Sequence, residues 1–227
     1  MEFEAILFDC DGVLVDSEKI YVEVEREHLA RLGLDYALDD YMVRFQGLGG
    51  PDFWEALDRD HRARGKGPLP ETFGPELDAA TLERLTRDLT EIVGIKQLLD
   101  AHRGPRAVAS SSRLERLIQK LHHTGLFPYF DPHIYSGEQV QNGKPAPDLF
   151  LFAAEKLGVD PARSLVIEDS SNGVRAGLAA GMTVWGFVGG GHSHEGHAEQ
   201  LLAAGAHRVV DSHDNLAALL RSGSTAA

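Results

Sequence analysis

Two aspartates, Asp9 and Asp11, flank Cys10 in the segment "FDCDGVLVDSE", directly after the apolar run "AILF". Ionised carboxylates at the end of a buried strand are costly unless a counter-charge compensates them. The rest of the chain offers the partners. "AVAS" ends in Ser110, "LVIED" ends in Glu168 and Asp169, and "NGKPAPD" places Lys144 in a loop after "HIYS". Asp9, Glu168 and Asp169 make an oxygen-donor set of the kind Mg²⁺ prefers, because that ion takes carboxylates and keeps positions for substrate phosphate. Lys144 adds a point charge suited to phosphate, or to holding a nucleophilic carboxylate ionised. The Ser110 hydroxyl and the next backbone N–H, that of Ser111, can donate to phosphoryl oxygens.

Phosphoryl transfer needs a nucleophile, compensation for charge on the transferred group and a proton donor for the leaving oxygen. All three are present. Asp9 comes first off its strand and is read as a nucleophile that forms an aspartyl-phosphate. Asp11, two residues on, is placed to serve as general acid and then as general base. Cys10 points to the opposite side of an extended backbone and is read as a buried, inert residue.

Strands must hold these residues. Runs rich in β-branched and aromatic residues lie at Ala5 to Phe8, Arg106 to Ser110, His133 to Ser136, Ser164 to Asp169, Thr183 to Val188 and His207 to Val210. Most are separated by helical patterns such as "SRLERLIQKLHHTG" and "DLFLFAAEKLGV". The alternation predicts an α/β fold, a Rossmann-like parallel sheet with helices on both faces, but periodicity does not supply the strand order. Ligands of such sheets bind beyond the carboxyl ends of the strands, where the candidate residues fall.

Between Asp16 and Glu91 no strand is read. The helical patterns there are "SEKIYVEVEREHLARLG", capped by Ser17 or Asp16, then "GPDFWEALDRDHRARG" and "GPELDAATLERLTRDLTEIVG". The expectation is an all-helical cap domain at residues 17–91, inserted into an α/β core of residues 1–16 plus 92–227. In that cap Arg44, Gln46 and Trp54 are candidates to meet a substrate, although Phe53 and Trp54 read first as cap core. Asn172 reads as a helix-start residue that positions the metal-binding carboxylates.

Composition narrows the partners. With 22 basic and 35 acidic residues the formal charge is -13, and no basic cluster could follow a phosphate backbone, which argues against nucleic acid and anionic membranes. The single cysteine, the acidic N-terminal segment and the lack of a long apolar run suggest a reducing, cytoplasmic setting without signal peptide or membrane span. A chain of this size is expected to act as a monomer. The segment "GGGHSHEGHAE" offers His192, His194, Glu195 and His197, but loop histidines without a fixed helical face read as solvated rather than as a metal site.

The motifs resemble those of the haloacid dehalogenase superfamily, in its phosphatase and phosphomutase branch, nearest the β-phosphoglucomutase-like group. "DCDGVLVDSE" is similar to the first motif, "AVASSS" to the second, "GKPAPD" to the lysine motif and "VIEDSSNG" to the acidic metal motif, in family order from Asp9 to Gly173. The resemblance implies Asp9 as nucleophile and Mg²⁺ ligand, Asp11 as acid/base with its backbone carbonyl on the metal, Ser110 and Lys144 on the phosphate, and Glu168 and Asp169 completing the metal site. It also implies a cap that closes over the substrate and sets specificity. Where the mutase grips a distal phosphate with arginine this chain has Gly50, and where its hinge helix carries histidine it has Tyr21. Losing one grip favours hydrolysis over isomerisation.

The expected protein is therefore a Mg²⁺-dependent phosphatase of a small sugar, polyol or sugar-acid phosphate, with a phosphomutase as the alternative. Dehalogenases of the same superfamily need neither a metal nor a second aspartate, so Asp11, Glu168 and Asp169 argue against that chemistry. A phosphate-accepting receiver module is a further alternative, but such modules are shorter and lack the helical insertion.

Overall fold

The computed structural model describes residues 3–45, 48 and 50–224. Ala5–Phe8 form β1, buried along its whole length. A strand covered on both faces has no polar side to present, so its sequence is a continuous apolar run. β1 lies inside a six-stranded parallel sheet with β2 (Arg106–Ser110), β3 (Ile134–Ser136), β4 (Ser164–Glu168), β5 (Thr183–Phe187) and β6 (Arg208–Val210). The order is β3-β2-β1-β4-β5-β6, a doubly wound arrangement that reverses between β1 and β4. Phe8 stands level with Val108 on one side and Ile167 on the other. The residues leaving β1, β2 and β4 therefore emerge side by side.

Between β1 and β2 come α1 (Ser17–Arg31), α2 (Leu38–Phe45), α3 (Gly50–Ala63), α4 (Phe73–Asp88) and α5 (Ile95–Ala101). α6 (Leu114–His123) and α7 (Phe127–Phe130) precede β3, α8 (Asp148–Leu157) precedes β4, α9 (Ser171–Ala179) precedes β5, α10 (His197–Ala203) precedes β6, and α11 (His213–Ser224) follows it. None of the helices among the described residues is long and apolar enough to cross a membrane.

By backbone contacts the chain forms two compact units, Met1–Glu18 with Leu89–Ala227, and Lys19–Asp88. These junctions differ from the 17–91 limits read from the sequence, because both ends of the insertion are tied into the sheet-bearing unit. The Asp16 N–H donates to the Thr90 carbonyl at 3.0 Å, and Val15 bridges Glu91. For the same reason α4 stops at Asp88 instead of running on to Gly94.

In the sheet-bearing unit the side chains of β1 alternate. Ala5 and Leu7 join Leu149 and Phe150 of α8 and Val174 of α9 in one core, whereas Phe8 on the other face meets the Phe130 ring edge-on at 5.9 Å.

The helical unit contains one helix that the hydrophobic pattern does not reveal, α2, an eight-residue segment too short to display a period. Its Tyr41 and Phe45 pack with Tyr36 and Phe53 at ring separations of 5.2 to 6.5 Å. Trp54 is not core, being 38% exposed with its edge on Phe73. Arg44 is exposed and serves the unit itself, through an ion pair to Asp60 at 2.8 Å and a position over the Tyr36 ring. Tyr21 is partly buried on α1, Gly50 begins α3, and Gln46 lies outside the described residues.

Candidate active site

Asp9 continues the ladder one step past β1, its N–H donating to the Ile167 carbonyl at 3.0 Å, which fixes its backbone at the centre of the sheet edge. Its carboxylate meets Lys144. The Lys144 ammonium donates to Asp9 Oδ1 at 2.5 Å, to Glu168 Oε1 at 2.6 Å and to the Ala109 carbonyl at 2.8 Å, so all three of its donors are used. Burial alone would lower the Lys144 pKa, but Asp9 and Glu168 outweigh it and raise it. The other Glu168 oxygen accepts the N–H and hydroxyl of Ser170, both at 2.9 Å, at the start of α9. Asn172 takes no part in this. It is exposed and its side-chain carbonyl accepts from Arg175, so Ser170 does the work expected of it.

Asp11 faces a different cation, Lys120 of α6, which lies outside the sequence motifs. Lys120 and the Ser17 hydroxyl donate to Asp11 Oδ1, and the Ser112 hydroxyl donates to Oδ2 at 2.8 Å. Burial tends to raise the Asp11 pKa, but the Lys120 charge and these hydrogen bonds hold it below the usual carboxylate range. Ser17 thus spends its hydroxyl on Asp11 rather than on a helix cap. Asp16 likewise accepts the Gly191 N–H at 2.9 Å. A signal for Lys120 existed: Leu117 and Leu121 mark the inward face of α6, and a lysine between them needs a buried counter-charge.

Ser110, 1% exposed at the end of β2, accepts the Ser112 N–H at 3.1 Å, while Ser111 is exposed on the same loop. Cys10 is fully buried, and burial pushes its thiol pKa well up. That agrees with an inert role.

The histidine loop is only partly solvated. His192 and His197 are buried because they cover Asp169: His192 Nε2 lies 3.1 Å from its carboxylate, and His197 Nε2 donates to its backbone carbonyl at 2.7 Å. His194 stacks on His197, and Glu195 is exposed. Gly12 makes this closeness possible. Its φ is +75°, and a Cβ there would sit 1.9 Å from Asp169 Oδ2 and 2.7 Å from the His192 ring.

The family model for haloacid dehalogenase-like hydrolases matches residues 3–181 of this chain. The chain belongs to that family. It is 34% identical over 222 residues to the phosphorylated carbohydrates phosphatase of Thermotoga maritima, covering 94% of this chain and 96% of that protein. Among solved structures, a hydrolase of the family from Deinococcus radiodurans R1, with phosphate and sodium bound, shares 41% identity at a TM-score of 0.84, over 97% of this chain and 96% of that one. A Thermotoga maritima protein described as a candidate β-phosphoglucomutase shares 30% identity at a TM-score of 0.77, over 97% and 99%. The match to a hydrolase family leaves the receiver-module alternative without support.

In this hydrolase the charges do not balance. Four carboxylates, Asp9, Asp11, Glu168 and Asp169, face the two ammonium groups of Lys120 and Lys144, an excess of two negative charges. His192 does not offset it, since burial lowers its pKa. Asp9 and Asp169 are accordingly held well above the usual carboxylate range, by burial first and then by neighbouring carboxylates, against the opposing pull of Lys144. Among the described residues no three His, Cys, Asp or Glu side chains already converge as a cation cage. The residues nonetheless fit a divalent cation of oxygen preference in donor type and charge.

Proposed function

We propose that this protein is a Mg²⁺-dependent phosphatase that hydrolyses a small phosphorylated carbohydrate through an aspartyl-phosphate on Asp9. The observation that carries this reading is the Asp9 carboxylate at the centre of the sheet edge, buried and paired with a lysine that also holds Glu168. The phosphorylated carbohydrates phosphatase of Thermotoga maritima, matched over nearly the full chain, supports the substrate class.

Asp9, its oxygen held by Lys144, attacks phosphorus, and the ester oxygen leaves with a proton from Asp11, which its lowered pKa leaves ionised in the free enzyme and which takes up that proton as the anionic substrate binds beside it. The phosphoryl group is then bound to Asp9, its oxygens met by the Lys144 donor that Asp9 gives up and by the Ser110 and Ser111 loop. Asp11 next takes a proton from water, which attacks phosphorus and frees Asp9 as phosphate departs. Asp9, Glu168 and Asp169, with the Asp11 carbonyl, would hold the cation, which when bound would offset charge on the phosphoryl oxygens. In the sequence Gly50 stands where the mutases that the chain resembles carry an arginine for a second phosphate, which favours hydrolysis over isomerisation.

Phosphate release from a panel of sugar, polyol and sugar-acid phosphates, with and without Mg²⁺, tests the proposal. Release is expected with Mg²⁺ and lost on chelation, and Asp9→Asn is expected to abolish it in a folded protein. A fully active Asp9→Asn variant would remove Asp9 from the nucleophile role.

A further inference from the structure

Lys120 is the buried charge that this reaction scheme leaves without a task. It lies on α6 between Leu117 and Leu121, both 0% exposed, and is itself only 3% exposed. Apolar residues in place of both Lys120 and Asp11 would stabilise the fold about as well, because a buried ion pair loses to desolvation much of what it gains by attraction. What the pair supplies is geometry. Besides its bond to Asp11 Oδ1, Lys120 Nζ donates at 3.1 Å to Ser112 Oγ, which donates at 2.8 Å to Asp11 Oδ2. The Ser112 backbone is anchored in turn, its N–H on Ser110 Oγ at 3.1 Å and its carbonyl accepting the Ser136 hydroxyl at 2.7 Å.

We propose that Lys120, together with Ser112, is a positioning residue for Asp11, locking the plane of its carboxylate to the Ser110 loop. The terminal torsion of an aspartate is broad and two-fold, so donors on its two oxygens decide where those oxygens lie. Proton transfer at a leaving oxygen depends on that placement, and small misplacements of a reacting group cost large factors in rate. The loop expected to bind the phosphate and the acid expected to serve the leaving group are thereby held in one register. The inference rests on the phosphatase reading and adds to it a residue outside the four motifs.

The test compares a sugar phosphate that the wild type hydrolyses with 4-nitrophenyl phosphate. The value of kcat/KM reports the steps through transfer to Asp9, and nitrophenolate leaves without a proton while a sugar alkoxide needs one. Lys120→Met keeps the stem and removes the donor. It is expected to lower kcat/KM for the sugar phosphate by about 100-fold, the scale of general acid catalysis, and for the nitrophenyl ester by less than about fivefold, with KM little changed. Lys120→Arg, which keeps a cation, is expected to recover much of the sugar-phosphate rate. Equal losses on the two esters, or no loss, would overturn the assignment. Should Lys120→Met fail to fold, Ser112→Ala carries the same comparison with the same two outcomes. A wild type inactive on every ester overturns the phosphatase reading and this assignment with it, whereas an active wild type with equal losses in the variants overturns this assignment alone.

Discussion

Asp9, Lys144 and Glu168 form one electrostatic unit, and removing its cation exposes what the others cost. Lys144→Met leaves two buried carboxylates facing each other, a change expected to cost on the order of 3 kcal/mol in the metal-free protein. With saturating Mg²⁺ the loss should shrink, since the added cation replaces part of the missing charge. Thermal melts of wild type and variant, each with and without Mg²⁺, check this, and a loss indifferent to Mg²⁺ would contradict the shared-charge account. Asp9, Lys144 and Glu168 were legible in the sequence because acids at the ends of buried strands demand a counter-charge, and a lysine in a neighbouring strand-end loop can meet that demand. Lys120 left only a weaker trace, a lysine on the apolar face of a helix, and His192 none. A lone lysine in a helix or histidine in a glycine-rich loop gains its meaning from the carboxylate it meets across the fold.

Among the elements, α9 is the one whose start is set by the site. A Cβ on Gly173 would lie 1.7 Å from Glu168 Oε1, so the first turn of α9 and the buried carboxylate occupy the same narrow space. In an open helix Gly→Ala stabilises by roughly 0.5–1 kcal/mol. Here Gly173→Ala is expected to destabilise by about 1–3 kcal/mol through overpacking, and to reduce phosphate release as Glu168 is displaced. The sign of the change in the urea midpoint decides between the two. At this scale the sequence showed the six strands nearly to the residue, because most of them are buried along nearly their whole length and read as apolar runs. The short helix α2 shows no clear period, and the helical pattern of α4 runs on past its end, since the return of Thr90 and Glu91 to Val15 and Asp16 is a pairing between distant segments.

At the scale of the whole molecule, His213 joins the C-terminal helix α11 to the segment before α5. It is fully buried, its Nδ1 3.2 Å from the Val93 carbonyl and its ring stacked on Phe187 at 4.6 Å. Burial lowers its pKa to about 4. Between its ordinary value near 6.5 and that value, the unfolded chain binds a proton that the folded chain refuses, so stability falls as pH drops through this window. The contribution is on the order of 3 kcal/mol once pH reaches the lower end. Urea denaturation at pH 7.5 and 4.5 should show His213→Phe losing less stability on acidification than the wild type, and equal losses would sink the idea. Chain order and residue type alone determined the α/β class, the helical insertion and the four motifs, because strand burial and turn chemistry leave local traces. Only the tertiary structure decided the strand order, the switch point between β1 and β4, and the partners of the acids: Lys144 for Asp9 and Glu168, Lys120 for Asp11 and His192 for Asp169. Such pairing acts through space, across segments far apart in the chain, and so leaves no periodic mark in the sequence.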